Sequence, residues 1–386
     1  MKTVRVLQFI SPAGFFGAEM WILALAKSLD PTRVRCSLAV TEESAEQDLT
    51  LFDRYMKLGL DAHKISMNGR FDLRSVARLK SLMQDEQIDV LHTHGYKSDI
   101  LGLVSARLAG VKTVATPHGF ENVRDIKLRA FIRLGCLALR YFDRVVPLSD
   151  ELMTDMRRIG VLPHKTRLIR NGVDLEEIST EENRVSPPIF TATNEMKIGY
   201  VGQVAFRKNL GAMIDVFDLF YRDHKDARLL IIGEGKMRDE LHGKAKTLAS
   251  GDRIDFLGYR TDRLRLVKEL DLFCMTSSLE GIPRCMMEAM ALGVPIAAFD
   301  IPGVDKLVIH EKTGLLAPFG DTEALKDCWE RILLDGALAE KLANNGKKHI
   351  ENNFSAERMA EEYTALYQGM VMGRQTRRQS NVFRDL

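Results

Sequence analysis

Two carboxylates eight positions apart, Glu280 and Glu288, stand inside the run Ser277-Ser278-Leu279-Glu280-Gly281-Ile282-Pro283-Arg284-Cys285-Met286-Met287-Glu288-Ala289-Met290-Ala291-Leu292-Gly293. Ser277 and Ser278 suit a helix start, Pro283 suits a first helical turn, and Met286 to Leu292 favour helix. The spacing predicts Glu280 in the loop that feeds the helix and Glu288 inside the helix itself. The amides around Gly281, Ile282, Arg284 and Cys285 would then lie free at the helix N-terminus, since Pro283 has none. That end carries partial positive charge and suits phosphate. One acid at the mouth, one farther in and an anion seat between them fit a ligand that carries both hydroxyls and phosphates, as a nucleotide sugar does. Paired glutamates on a helix are often plain surface, so the flanking elements carry the argument.

Leu270 to Met275 reads as a buried strand, and Gly293 to Ala298 as a helix stop and the next strand. Strand, loop, helix and strand make a βαβ unit, whose ligands bind beyond the carboxyl ends of the strands. Other strand-to-loop junctions carry polar groups. Gly202-Gln203-Val204-Ala205-Phe206-Arg207-Lys208-Asn209 offers Arg207 and Lys208 as charges for a diphosphate. Gly233-Glu234-Gly235 and Gly258-Tyr259-Arg260-Thr261-Asp262 could hold a nucleoside. Near the start, Gly14-Phe15-Phe16-Gly17-Ala18-Glu19 follows a strand without forming the dinucleotide fingerprint, which argues against a dehydrogenase. His92 and His94 share one face of a strand, and His118 follows the next. Three histidines could ligate zinc, but no acid or cysteine adjoins them in sequence, and substrate hydrogen bonding fits better.

The chain has 386 residues, 45% hydrophobic and 28% charged, with a net charge of +2. This is a soluble globular composition with room for two domains, and it gives no reason to expect nucleic acid as a partner. Five scattered cysteines without C-x-x-C spacing indicate free thiols. No apolar stretch reaches a membrane span, and the apolar run at Val6 to Ile10 is too short for a signal peptide. The expectation is a cytoplasmic protein, with a peripheral place at the inner membrane face compatible with its basic helix at Arg124 to Tyr141 and its basic tail.

Strands and helices alternate through both halves, which predicts an α/β fold of two doubly wound, Rossmann-like parallel sheets facing across a cleft. The expected divisions are an acceptor-binding domain over 1–182, a linker over 183–195 and a nucleotide-sugar domain over 196–354. A C-terminal helix over 355–371 should pack back toward the first domain, followed by a mobile tail over 372–386. The expected elements include a strand at Lys165 to Ile169 and one helix from Glu323 to Asn345.

Taken together, these motifs resemble the retaining glycosyltransferases of family 4, which have the GT-B architecture. The carriers are Gly17-Ala18-Glu19, Thr116-Pro117-His118-Gly119, Arg170-Asn171-Gly172-Val173-Asp174, Val201-Gly202 with Lys208-Asn209, Ile232-Gly233-Glu234-Gly235, Phe256-Leu257-Gly258 and the Glu280 to Glu288 block. The resemblance runs from Val4 to about Tyr367. It implies that Glu280 contacts donor-sugar hydroxyls, Glu288 accepts from the ribose, Lys208 neutralises the diphosphate and His118 lies near the reacting sugar. It further implies that the leaving phosphate takes the acceptor proton, and with no D-x-D metal motif in the sequence the transfer is expected to be metal-independent. The donor-binding set is then Gly17, Gln203, Arg207, Lys208, Gly233, Glu234, Tyr259, Arg260, Glu280, Gly281, Ile282, Pro283, Arg284, Cys285 and Glu288. The acceptor set, by position, is His94, Tyr96, Lys97, His118 and Phe120. No cofactor is implied beyond the nucleoside-diphosphate sugar substrate, with a UDP-sugar the favoured donor. The acceptor would be a sugar or a lipid-linked glycan in polysaccharide or glycolipid synthesis.

The family usually has Arg directly after the Val-Gly of the second domain, where this chain has Gln203. Half of the cationic clamp is missing there, and Arg207 is the candidate replacement. Two alternatives remain open at this level: a nucleotide-sugar epimerase of the same fold, and a non-catalytic nucleotide-sugar-binding subunit.

Overall fold

The computed structural model describes residues 2–69, 72–119, 126–185, 187–190 and 195–382. The chain divides into two compact units. Met1–Gly172 with Ala356–Leu386 forms the first, and Val173–Ser355 the second.

The first unit runs β1 (Val4–Ile10), α1 (Gly17–Ser28), β2 (Val34–Glu42), α2 (Thr50–Lys57), β3 (Ala62–Ser66), α3 (Arg74–Asp85) and β4 (Val90–His94). It continues with α4 (Tyr96–Ala109), β5 (Lys112–Ala115), α5 (Ile126–Leu139), β6 (Arg144–Val145) and α6 (Asp150–Arg158). The second unit has α7 (Leu175–Glu182), β7 (Met196–Val201), α8 (Leu210–Asp223), β8 (Ala227–Ile232), α9 (Arg238–Lys246), β9 (Ile254–Gly258) and α10 (Arg263–Lys268). After these come β10 (Leu272–Met275), α11 (Arg284–Ala291), β11 (Ile296–Asp300), β12 (Leu315–Pro318), α12 (Thr322–Leu334) and α13 (Gly336–Asn353). The final helix, α14 (Ala356–Val382), belongs to the first unit.

Each unit holds one six-stranded parallel sheet. The orders are β3-β2-β1-β4-β5-β6 and β12-β11-β10-β7-β8-β9. Counted from its own first strand, each is the doubly wound order, and the order reverses between the first and fourth strands. In the second unit that switch point falls between β7 and β10, so the loops after those two strands open side by side. Inner strands such as β8, β10 and β11 are mostly buried apolar runs because helices cover both faces. Polar side chains buried within strands include Gln8 in the middle of β1 and His92 and His94 in β4.

Several expectations need correction. The units divide after Gly172, not after 182, because Asp174 caps α7 at the Glu177 amide (2.9 Å) and buries Ile178 in the second core. The expected linker is anchored where it is described. The Ile189 and Phe190 amides donate to Glu269, and Glu195 pairs with Arg228 and Arg253. The expected strand at Lys165 to Ile169 reduces to a single bridge between Thr166 and Val145. The single helix from Glu323 to Asn345 is two helices. Asp335 takes an extended backbone and caps α13 by accepting from the Leu338 amide at 3.0 Å. Edge strands β3 and β12 lie where no strand was expected. Helix α14 runs to Val382 into the expected tail, and it sets Met359, Tyr363, Leu366, Tyr367 and Met370 in the core shared with β1 and α1.

Candidate functional site

In the second unit, Lys208 and Glu280 are 72 residues apart in sequence, yet they form a buried ion pair. Lys208 sits in the loop after β7 and Glu280 in the loop after β10, so the switch point brings them together. Their loops are stitched by backbone. Ser278 donates its amide (2.9 Å) and its hydroxyl (3.1 Å) to the Arg207 carbonyl, and the Thr276 hydroxyl donates to the Asn209 carbonyl at 3.0 Å. Half-exposed Arg207 brings Nη1 to 3.6 Å from Glu280 Oε2. Gln203 is exposed, and its carbonyl accepts from the Tyr200 hydroxyl at 3.1 Å.

Helix α11 starts at Arg284 with Pro283 at its N-cap. Its first-turn amides are those a helix leaves without an intrahelical carbonyl. Glu288 lies buried on the fifth residue, clamped by two arginines. Its Oε1 accepts from Arg263 Nη2 and from Arg284 Nε, both at 2.9 Å, and its Oε2 accepts from Arg263 Nε at 3.2 Å. Burial pushes the Glu288 carboxyl up, but the charges of Arg263 and Arg284 outweigh it and hold the group below the ordinary carboxylate range. Burial pushes the Cys285 thiol up to about 12, so it is inert at neutral pH. All five cysteines are unpaired thiols.

Around these groups the backbone comes very close. A Cβ on Gly303, at φ +90°, would lie 1.8 Å from the Gly281 carbonyl oxygen. A Cβ on Gly233 would lie 1.9 Å from the Gly202 carbonyl oxygen. Glycine is therefore required at both positions. Glu234 is exposed in the loop after β8 with Arg238 3.7 Å away, and Arg260 is held by Asp262 in a bidentate pair at 2.7 Å. Tyr259 is exposed beside it. Gly281 and Ile282 are half-buried in the loop before Pro283.

The first unit holds the other candidates. Gly17 opens α1, where the Phe16 amide donates to Glu19 at 3.0 Å in the reciprocal half of a capping box. His94 is buried. Its Nδ1 lies 3.0 Å from His118 Nε2 and its Nε2 lies 2.7 Å from Gln8 Oε1. His118 is half-buried at the carboxyl end of β5. His92 spends both ring nitrogens inside the core, on Tyr367 and Thr116 at 2.7 Å each. The Tyr96 hydroxyl donates to the Gly119 carbonyl at 3.2 Å, and Lys97 is paired with Glu43 at 2.6 Å. Phe120 lies outside the described residues. Among the described residues, no group of three His, Cys, Asp or Glu side chains is arranged to hold a metal ion.

Arg263, Gln8 and the two tyrosines of α14 were not foreseen from sequence. Arg263 and the tyrosines lie far along the chain from the groups they touch. Gln8 does carry a local signal, one amide set within the apolar run Val6 to Ile10.

Two family models divide the chain between them. "Glycosyltransferase Family 4" matches residues 16–177, and "Glycosyl transferases group 1" matches residues 181–349. The chain belongs to glycosyltransferase family 4. Its two sheets have the GT-B architecture of this family. Among curated relatives, a UDP-Gal:α-D-GlcNAc-diphosphoundecaprenol α-1,3-galactosyltransferase of Escherichia coli is 28% identical over 78% of this chain and 81% of its own length. An N-acetyl-α-D-glucosaminyl L-malate synthase of Bacillus anthracis is 26% identical over 77% of this chain and 79% of its own. Among solved structures, the Anabaena protein HepE in complex with UDP-glucose superposes with a TM-score of 0.78 at 18% identity, covering 95% of this chain and 99% of that one. This family 4 chain is therefore a glycosyltransferase of glycan biosynthesis, and the epimerase and non-catalytic readings are not favoured. No described helix is long and apolar enough to cross a membrane.

Proposed function

We propose that the chain transfers a glycosyl group from a nucleoside-diphosphate sugar to an acceptor hydroxyl with retention of anomeric configuration and without a divalent metal. The observation that carries this reading is the buried Lys208–Glu280 pair at the switch point, with Arg207 beside it and α11 starting four residues after Glu280. In the reaction the bond from the sugar C1 to the β-phosphate oxygen breaks and a bond from C1 to the acceptor oxygen forms on the same face. The acceptor proton passes to the leaving phosphate. Negative charge grows on the diphosphate, where Lys208, Arg207 and the first-turn amides of α11 stabilise it. Arg207 supplies the second cation that Gln203 does not.

Glu280 meets hydroxyls of the donor sugar and Glu288 those of the ribose. The arginine clamp keeps Glu288 ionised, which makes it an acceptor for hydroxyl donors. Uridine is the favoured base, since both the E. coli relative's name and the HepE complexes specify UDP. The family resemblance assigns His118, in the first unit, to a hydroxyl of the sugar substrate. A lipid-linked acceptor at the inner membrane face is supported by α4 and α5, which expose Leu108, Leu134 and Leu137 beside Arg107 and Arg133. The E. coli relative's name also specifies a diphosphoundecaprenol acceptor.

The test has two parts. Thermal shift with UDP, GDP and ADP identifies the base, and NMR of the product's anomeric proton reads the configuration. UDP stabilisation and a retained anomer support the proposal, while an inverted product overturns it.

A further inference from the structure

The first unit contains a hydrogen-bonded chain that ends on His118, and its proton positions can be worked out from partner chemistry. Gln8 is fully buried. Its Nε2 has two hydrogens and faces two acceptors, Tyr367 Oη at 3.4 Å and Cys36 Sγ at 3.6 Å. Its Oε1 lies 2.7 Å from His94 Nε2. Reversing the amide would leave an N–H buried without an acceptor, which is costly. Gln8 Oε1 therefore accepts, and His94 carries its hydrogen on Nε2.

Burial, together with His92 and His118, holds His94 well below its ordinary pKa, so the ring is neutral and its Nδ1 has a lone pair. His118 Nε2, 3.0 Å from that atom, must donate. Burial lowers His118 to about 4, so it too is neutral, and its remaining nitrogen, Nδ1, has a lone pair. Among the described residues Nδ1 has no partner, while the residue itself is partly open to solvent.

The neighbouring branch can follow the same polarity. With Gln8 donating to Tyr367 Oη, that hydroxyl is left to donate to His92 Nδ1 at 2.7 Å, which leaves His92 Nε2 to donate to Thr116 Oγ1 at 2.7 Å. The Thr116 hydroxyl in turn reaches Tyr363 Oη at 2.9 Å. Trp21 packs against the His94 and His118 rings at 5.2 and 5.4 Å between centroids and fixes their planes.

We propose that Gln8 is a positioning residue that, through His94, locks His118 in the tautomer whose Nδ1 accepts a hydrogen bond from a sugar hydroxyl. The role of His118 at the sugar rests on the transferase reading above, whereas the tautomer does not. An imidazole held this way can receive a hydroxyl proton at Nδ1 but cannot donate there.

The test uses the full chain labelled with 15N-histidine and long-range 1H–15N correlation spectra, with the His118 ring assigned by its loss in His118→Gln. At neutral pH His118 should show a bare Nδ1 and a protonated Nε2. Gln8→Glu, which still offers an acceptor oxygen, should keep that pattern. Gln8→Leu should replace it with an average of both tautomers and lower kcat about tenfold, with KM for the nucleotide sugar within about twofold. A protonated Nδ1 in the wild type, or an unchanged pattern in Gln8→Leu, would overturn the proposal. If Gln8→Leu does not fold, the wild-type and Gln8→Glu spectra still decide. A wild-type chain with the expected tautomer but no transfer activity would refute the transferase reading and leave the relay standing.

Discussion

Replacing Lys208 with methionine separates what the buried pair does for the fold from what it does for the reaction. The Lys208 and Glu280 side chains are only 8% and 7% exposed. Removing one partner of such a pair leaves a buried charge uncompensated and costs about 3–5 kcal/mol. Arg207 remains 3.6 Å from Glu280, but it is half-exposed, and an exposed pair returns only about 0.2–1 kcal/mol. A net loss of about 3 kcal/mol lowers the melting temperature of a unit this size by roughly 6–12 °C. Adding Glu280→Gln to Lys208→Met removes the orphaned charge and should restore at least half of that shift. Activity should not follow. Lys208→Met loses one cation at the leaving diphosphate, worth about 3 kcal/mol of barrier or roughly a hundredfold in kcat. The double variant should be no faster than the single one. Calorimetry gives the melting temperatures, and initial rates of nucleotide release at saturating donor, well below the lowest of them, give kcat. If turnover recovers together with stability in the double variant, Lys208 acts only through the fold and the assignment of its charge to the diphosphate fails.

Glu288→Ala should weaken UDP binding by about 1–3 kcal/mol in titration calorimetry, because buried hydrogen bonds to the ribose are lost; unchanged affinity would remove Glu288 from the nucleotide site. Since the folded pKa of Glu288 is depressed, its contribution to stability is complete above the unfolded carboxylate value, about 4.3, and is lost as pH falls through the folded value. Urea midpoints should therefore fall less steeply with acid in Glu288→Gln than in the wild type, and parallel profiles would contradict the clamp. Gly303→Ala, which sets a Cβ against the Gly281 carbonyl oxygen, should displace the Glu280 loop and cut kcat/KM at least about tenfold by direct rate measurement. Excess chelator should leave the rate unchanged, and a loss restored by magnesium would show that a metal shares the charge assigned to Lys208 and Arg207.

The folding pattern was legible wherever an element had a strong local period. The apolar strands at Val4 to Ile10 and Ala227 to Ile232 and the helix at Leu210 to Asp223 follow from residue types alone. Edge strand Ala62–Ser66 was not legible, since its pattern is polar and only pairing with β2 makes it a strand. The break at Asp335 was visible only as a cap whose accepted bond had to be seen. The division after Gly172 depended on which core buries Ile178, and no local sequence encodes that.

At the candidate site the local sequence determined that Glu280 precedes a helix and Glu288 lies within it, because capping residues and helix formers act over a few positions. It also marked Lys208 and His118 as polar groups at strand ends. Tertiary structure alone decided their partners. Parallel strands become neighbours only after long crossovers, so Lys208 meets Glu280 across 72 residues, Arg263 reaches Glu288 from another helix, and Tyr367 reaches Gln8 and His92 from the far end of the chain. Those contacts fix which charges are neutralised and which nitrogen carries a proton. Both depend on distances through space, which the order of residues along the chain does not contain.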